Sequence, residues 1–394
     1  KLKLVVVEKD KSPSSKVTLK KGKRKVKKLN KRLLIENMEP KMPITQQSLQ
    51  SNDTSKSTRY NEEFIGVLAE LENYMSKKGE FMRARAYQKA QEAIMTYPDN
   101  ITSVDQVSGL RGIGKTITSK LKEYLSTGKV EALEKEKRNP IHEFTSIYGV
   151  GPKKAQQLIK DGISSIDELR KQQDKLLTET QRMGLKYYED INKRIPREEV
   201  EDYEKEFTKV FNKIKEPDAT FQIVGSYRRG NENSGDVDII ITDKQNNPLI
   251  LKKFVEELVK EKIIVYKLTD GKSKILVIAQ LPGKPARRVD FLFSPPQEFP
   301  FAILYFTGSK VFNTMMRQRA LDLGYSLNEH GFYKMVDGKK GAKIDMTFNS
   351  EKNIFDFLNM EYKEPVERKD GRSVIIKKKR YPFRSGRPRT RNYY

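Results

Sequence analysis

The run Gly225-Ser226-Tyr227-Arg228-Arg229-Gly230, followed by Ser234-Gly235-Asp236-Val237-Asp238, decides how this 394-residue chain is read. Val237 to Thr242 is a β-branched, strand-like run. On a strand, Asp236 and Asp238 point to one face, and Val237, Ile239 and Ile241 point to the other, which is expected to be buried. Two like charges side by side are costly unless a cation lies between them. A third acid, Asp290, stands in another strand run, Arg288-Val289-Asp290-Phe291. Three carboxylates on neighbouring strands can hold two magnesium ions, with manganese as a substitute. One ion activates an attacking hydroxyl and the other steadies a triphosphate and its leaving group. Gly225-Ser226 and Ser234-Gly235 offer N–H and hydroxyl donors to phosphates, and Arg229 adds positive charge. A lone D-x-D is weak evidence, because surface acids are common. The upstream G-S, the arginines and the downstream strand aspartate make it strong.

Around this centre lie further strand runs at Phe221–Val224, Ile263–Lys267 and Ile275–Gln280, with a helical segment at Leu251–Lys262. After Pro300 the pattern predicts helices near Phe301–Leu304 and Val311–Leu323, then short strands and a last helix near Ile354–Met360. Upstream, everything from Asn61 to about Ile214 reads helical, starting with Phe64, Ile65, Leu68, Leu71 and Tyr74 at spacings of three and four. Two Gly-rich turns punctuate that half: Leu110-Arg111-Gly112-Ile113-Gly114-Lys115 and Ile147-Tyr148-Gly149-Val150-Gly151-Pro152. In each, two glycines flank an aliphatic residue just before a helix, whose free N–H groups can bind a phosphate. A single such turn would suit an ordinary helix–helix connection. A pair, each followed by a lysine-bearing helix, resembles helix-hairpin-helix elements that grip DNA backbone without reading sequence.

Bulk composition narrows the chemistry. The chain has no cysteine, which excludes disulfides, a cysteine nucleophile and a thiolate zinc site. With only His142 and His330, a His-rich metal centre is also disfavoured, so any metal is expected to be oxygen-ligated. No apolar run approaches membrane-spanning length, and no secretory signal is visible, although the chain begins at Lys1 and an upstream piece is left open. The net charge is +25, of which residues 1–32 carry +12 and residues 372–394 carry +9, leaving +4 for the body. Two basic tails therefore flank a nearly neutral body, and such tails bind polyanions or address a protein to a nucleic-acid compartment. Both are expected to be disordered.

On these motifs the chain resembles the X-family DNA polymerases, the beta type above all, from about Asn61 to Arg368. Gln181-Arg182-Met183-Gly184-Leu185-Lys186-Tyr187-Tyr188, with Lys193-Arg194-Ile195-Pro196-Arg197-Glu198-Glu199, resembles that family's join between helical and catalytic halves. Leu304-Tyr305-Phe306-Thr307-Gly308-Ser309 resembles its nucleotide-sugar segment. The resemblance implies a multidomain α and α+β protein. A helical N-terminal lyase domain with helix-hairpin-helix elements would precede a fingers, palm and thumb-like nucleotidyltransferase with a mixed β-sheet palm. The expected divisions are a basic tail at 1–59, a lyase domain at 60–140, a second helical DNA-binding subdomain at 141–214, the palm at 215–300, a nucleotide-selection subdomain at 301–368 and a basic tail at 369–394.

The same resemblance assigns roles. Asp236, Asp238 and Asp290 would be the metal ligands, with Asp290 placed to activate a primer 3′-hydroxyl and Arg288 supporting it. Arg182, Ser226, Arg229, Ser234 and Gly235 would contact the triphosphate. Tyr305, Phe306 and Gly308 would line the sugar, Asn313 would touch the base and Arg317 the template side. Lys120 falls where the family carries a lysine that forms a Schiff base with a 5′-deoxyribose phosphate. Such a lysine must be neutral to attack, and Lys115, Lys122 and Arg83 could lend the positive charge that favours this. Tyr87 and Lys89 match the family around that pocket. Gln88, Ala132 and Arg83 depart from it, standing where arginine, lysine and lysine are usual. DNA contacts are expected at Arg83, Lys89, Gly112, Gly114, Lys115, Gly149, Gly151, Lys153 and Arg317.

The implied activity is template-dependent filling of short gaps in base excision repair. The partners would be gapped or nicked double-stranded DNA, deoxynucleoside triphosphates and repair proteins, with no membrane and a monomeric state. A turn at Asp270-Gly271, resuming by Lys274, is shorter than the loop of template-independent relatives, which favours template dependence over terminal transfer. The expected compartment is the nucleus, with Lys20-Lys21-Gly22-Lys23-Arg24-Lys25 as an import signal; a mitochondrion or a viral source stays open.

Overall fold

The computed structural model describes residues 59–214 and 216–377. The Lys20–Lys25 run and most of both basic tails lie outside these residues.

The chain opens with two antiparallel-packed helices, α1 (Asn61–Lys78) and α2 (Phe81–Met95), joined at Gly79 in the left-handed conformation. Phe64, Leu68, Leu71, Ala90 and Ile94 are sealed between them, as the three-and-four spacing requires. The first Gly turn leads into α3 (Lys115–Thr127), and α4 (Glu131–Lys137) completes this unit. A second helical cluster follows: α5 (Ile141–Phe144), α6 (Pro152–Lys160), α7 (Ile166–Leu176), α8 (Glu179–Lys186) and α9 (Tyr188–Ile191), around a core of Phe144, Leu158 and Leu169.

The two Gly turns share one backbone solution. The first glycine of each has a positive φ, +104° at Gly112 and +81° at Gly149. The second is extended and caps the next helix, with φ −89° at Gly114 and −86° at Gly151. A side chain at Gly112 would press on the carbonyl of Lys89, so α2 and the turn approach closely because the residue is glycine.

The sheet-containing half begins with a two-residue strand β1 (Ile195–Pro196) and the long helix α10 (Arg197–Lys213). The strands β2 (Ala219–Ile223), β4 (Val237–Asp243), β5 (Ile264–Asp270), β6 (Lys274–Ala279) and β7 (Arg287–Phe293) form one sheet in the order β2-β4-β7-β6-β5. Only β4 and β7 are parallel, which makes the sheet mixed. The short helix α11 (Gly225–Arg228) and strand β3 (Asn233–Ser234) sit between β2 and β4, and α12 (Leu249–Lys260) crosses one face. Val237, Ile239, Ile241, Val289 and Phe291 bury that face against Tyr203, Phe207, Phe254 and Leu258. Residues 141–214 were expected to form one helical subdomain, but α10 packs into the sheet's core. Its apolar stripe has the sheet, not the helical cluster, as its partner. Arg287 rivets the junction: it pairs with Glu199 at 2.7 Å in the interior and donates to the carbonyls of Asp190 and Lys193.

The last part contains α13 (Phe299–Thr307), α14 (Lys310–Asp322), the three-stranded sheet of β8 (Tyr325–Asn328), β9 (Gly331–Val336) and β10 (Lys339–Lys343), and α15 (Glu351–Phe357). The final helix starts three residues before the expected Ile354, because Ser350 accepts a hydrogen bond from the Asn353 amide and caps it. Residues 369–377, placed by sequence in the second tail, are instead folded in place. Ile376 bridges Met360, and Gly371 approaches Met315 and the carbonyl of Met95. There the two ends of the described chain meet: Val311 and Met315 pack on the N-terminal core, and Lys310 pairs with Glu72 at 3.1 Å.

Candidate active site

The parallel register of β4 and β7 sets Asp238 directly opposite Asp290. Extending that register by two residues sets Asp236 beside Arg288, so two rows of polar side chains share one face. Ile240 continues the same face and is covered by Val224, Ala302 and Ile303, so α13 closes the floor beyond the carboxylates. One carboxylate oxygen from each of Asp236, Asp238 and Asp290 lies within 4.8 Å of the others. Asp238 and Asp290 are 9% and 2% exposed, so their charges are largely withdrawn from water. Asp290 Oδ1 is buried and makes no hydrogen bond among the described residues. A buried, hard-oxygen trio with an unsatisfied lone pair fits a divalent cation of the magnesium type.

Two cations already face this trio. Arg288 pairs with Asp236, and its Nε lies 3.6 Å from Asp290 Oδ1. Lys274, reaching diagonally across from β6, sets its Nζ 3.2 Å from Asp290 Oδ2. Lys274 was read only as the end of a hairpin; its diagonal reach depends on a strand register that the sequence does not display.

The side expected to receive phosphates is built from glycine and serine. Gly225 has φ +66°, and a Cβ there would lie 2.8 Å from Asp238 Oδ2. Ser226 donates to Ser234 at 2.9 Å, both buried, which joins the two expected phosphate-binding segments. Strand β1 pairs with β3, Ile195 opposite Ser234, and this brings Arg194 to Gly235. Arg194 donates to Asn233 through Nε and NH2, while its buried NH1 has no hydrogen-bond partner among the described residues and lies 3.3 Å from where a Gly235 Cβ would stand. Arg182, expected at the triphosphate, sits on α8 and pairs with Asp174 at 3.6 Å. Of Arg182 and Arg194, the structure sets Arg194 beside the Ser234-Gly235 segment.

Arg229 donates to the Thr307 carbonyl at 2.6 Å, next to Gly308, so the loop before the carboxylates is tied to the end of α13. Its neighbour Arg228 donates to Glu351 and to Thr307 Oγ1, and Glu351 also receives Arg368, whose side chain is fully buried. Burial pushes the Glu351 carboxyl up, but the two guanidiniums outweigh it and hold its pKa below the usual value. Sequence reading missed this link, which spans 123 positions.

Tyr305, Asn313 and Arg317 line one cleft together with Phe301, Leu304, Met316 and Leu327. Asn313 donates to the Tyr305 carbonyl at 2.7 Å, and Arg317 to the Asn313 carbonyl at 3.2 Å. Burial, with Glu329 nearby, raises the Tyr305 hydroxyl. Phe306 packs edge-on to Tyr305 and against the Ile240 cluster, so of the two rings Tyr305 is the one that lines the cleft.

Lys120 is on α3, half-exposed, in the N-terminal unit. Tyr87 is buried in the core of that unit, and Lys89, Lys115 and Lys153 are exposed. Lys122 pairs with Asp105 at 2.9 Å and Arg83 with Glu80 at 2.7 Å, so two of the three cations expected to support Lys120 have carboxylate partners. Among the described residues no helix is long and apolar enough to cross a membrane.

Comparison with known proteins follows the same division. Family profiles match in chain order: a helix-hairpin-helix domain over residues 59–130, the fingers domain of DNA polymerase lambda over 142–192, the DNA polymerase beta palm over 194–296 and the DNA polymerase beta thumb over 302–369. DNA polymerase lambda of Arabidopsis thaliana is 33% identical over 82% of this chain and 65% of its own length. DNA polymerase lambda of Rattus norvegicus is 31% identical over 80% of this chain and 57% of its own. DNA nucleotidylexotransferase of Xenopus laevis is 28% identical over 82% of this chain and 71% of its own. The chain thus spans less than two thirds of the two polymerase lambda sequences. The carboxylate trio on parallel strands, the paired Gly turns and four successive domain matches lead to one assignment: the chain belongs to the X family of DNA polymerases.

Proposed function

We propose that this chain is a template-dependent DNA polymerase that fills short gaps in base excision repair, and that it also carries 5′-deoxyribose-phosphate lyase activity at Lys120. The observation that carries the polymerase reading is the trio of Asp236, Asp238 and Asp290 within 4.8 Å, flanked by the Ser226–Ser234 pair. Divalent cations bound by the trio, magnesium in the first instance, would supply an activated primer hydroxyl and neutralise charge on the triphosphate. The chain's own groups do the rest. Ser226, Ser234, Gly235, Arg229 and Arg194 receive the phosphates, and charge-assisted hydrogen bonds there are the strong ones. Tyr305 and Asn313 hold sugar and base in the cleft of α13 and α14, and Arg317 lies on the template side. The two Gly turns grip the backbone of gapped or nicked duplex on either side.

Template dependence is supported by the β5–β6 hairpin, where only Gly271–Ser273 separate the strands. The name of the Xenopus relative keeps terminal transfer as the competing reading. Primer extension with and without template separates them: equal extension without template would sink the proposed activity. Asp290→Ala is expected to abolish extension while DNA binding persists. Nuclear residence, a monomeric state and interaction with repair proteins belong to the same proposal.

A further inference from the structure

The three carboxylates do not stand alone in the folded chain. Arg288 and Lys274 reach them from the neighbouring strands β7 and β6, and three negative charges against two positive leave a net charge of −1. The Lys274 side chain is 23% exposed and that of Asp290 3%, so the pair is partly shielded from solvent and little screened by salt. Lys274 occupies Asp290 Oδ2, the oxygen not facing Arg288, so each oxygen of Asp290 has one cation near it. A lysine fits this role better than an arginine would. Its ammonium is a compact charge on a flexible stem and can withdraw without breaking a fixed bidentate geometry.

We propose that Lys274 is a resident counter-ion for Asp290, one that holds the carboxylate trio together without metal and leaves Asp290 when a divalent cation binds. This rests on the reading of the trio as a divalent-cation site. Three carboxylates this close, with two of them buried, would repel one another without compensation. The lysine supplies compensation from within the fold. The same charge opposes metal entry, because the arriving cation must displace it or bind beside it. Lys274 is therefore a positioning residue that sets how tightly the empty site takes metal. Once the ammonium is released it is free for an anion such as a DNA phosphate.

The test is Mn2+ binding, followed by the paramagnetic signal of free Mn2+, with the full chain in the absence of DNA. The relevant binding is the part that Asp238→Ala removes. Lys274→Met is expected to bind Mn2+ tighter than wild type by on the order of tenfold, equivalent to about 1.4 kcal/mol. Lys274→Arg, which keeps the charge, is expected to bind Mn2+ no tighter than wild type. If Lys274 were only a strut of the sheet, its loss would loosen the trio and weaken binding. Equal or weaker binding by Lys274→Met therefore overturns the proposal while leaving the metal site intact. Absence of any Mn2+ binding that Asp238→Ala removes would overturn the site and the proposal together. A second measurement needs no variant. Acetylation of Lys274 in the wild-type chain, read by mass spectrometry, is expected to rise several-fold when Mn2+ is added; unchanged or reduced labelling counts against the proposal.

Discussion

Asp238 and Gly225 are in such close apposition that a methyl group on the glycine would lie 2.8 Å from the carboxylate oxygen Oδ2. That contact joins the proposed phosphate-binding segment to the proposed metal-binding strand. Gly225 also has a left-handed φ of +66°, so alanine there is doubly disfavoured. Gly225→Ala is expected to cost about 1–3 kcal/mol of stability. It should also displace Asp238 enough to lower single-nucleotide incorporation by on the order of a hundredfold. Chemical denaturation and rapid-quench primer extension read the two effects separately.

Removing one charge from the carboxylate trio should uncouple folding from metal response. Asp290→Asn is expected to fold as well as wild type in chelator, because repulsion within the trio is relieved. Wild type should gain about 2.7 kcal/mol at a hundredfold excess of Mn2+ over its Kd, and the variant little of that. Thermal unfolding with and without Mn2+ checks this. A variant stabilised as much as wild type would place the ion elsewhere.

Glu351 is a buried anion held by Arg228 and Arg368. Glu351→Gln leaves two guanidiniums under-compensated and is expected to cost about 3 kcal/mol. The carboxyl's folded pKa lies below its ordinary value of 4.5, so its contribution is fully present above that pH. It is lost as pH falls through the depressed folded value. The gap in denaturation free energy between wild type and variant should therefore be constant at neutral pH and close in acid.

Arg194→Met removes the guanidinium beside Gly235. An expected rise of about tenfold in KM for the incoming nucleotide, with an unchanged melting temperature, would mark it as a phosphate contact. If only the melting temperature moves, its bonds to Asn233 are structural and nothing more.

For the second activity, borohydride trapping on an incised abasic substrate is expected to yield a covalent adduct with wild type and none with Lys120→Ala. Equal trapping by both would remove Lys120 as the nucleophile.

The parts of this fold that sequence displays are those with a period. Asp236 and Asp238 stand two apart on a strand, their apolar neighbours fill the opposite face, and the glycines of the two turns precede helices, so each could be read locally. What stayed hidden depends on register or distance. Strand β1 has two residues, too few for any pattern, yet its pairing with β3 is what brings Arg194 to Gly235. Lys274 meets Asp290 only through the β6–β7 diagonal, and Glu351 meets Arg228 across 123 positions. Helix α10 carries the same spacing as its predecessors, and nothing in a helical period says which neighbour its stripe will choose. Residues 369–377 are polar enough to resemble a tail, but Gly371 finds a place against Met315 and the Met95 carbonyl that no local rule foretells.

The repeated geometry of Gly112-Ile113-Gly114 and Gly149-Val150-Gly151 carries a consequence for how a substrate is found. Peptide N–H groups at a helix start address phosphate oxygens, and phosphates are alike at every base pair. In the proposed DNA contact, two such turns make a grip that is blind to the genetic text. The protein would then have no preferred address in a genome, and the break in the strand would itself be the only signpost.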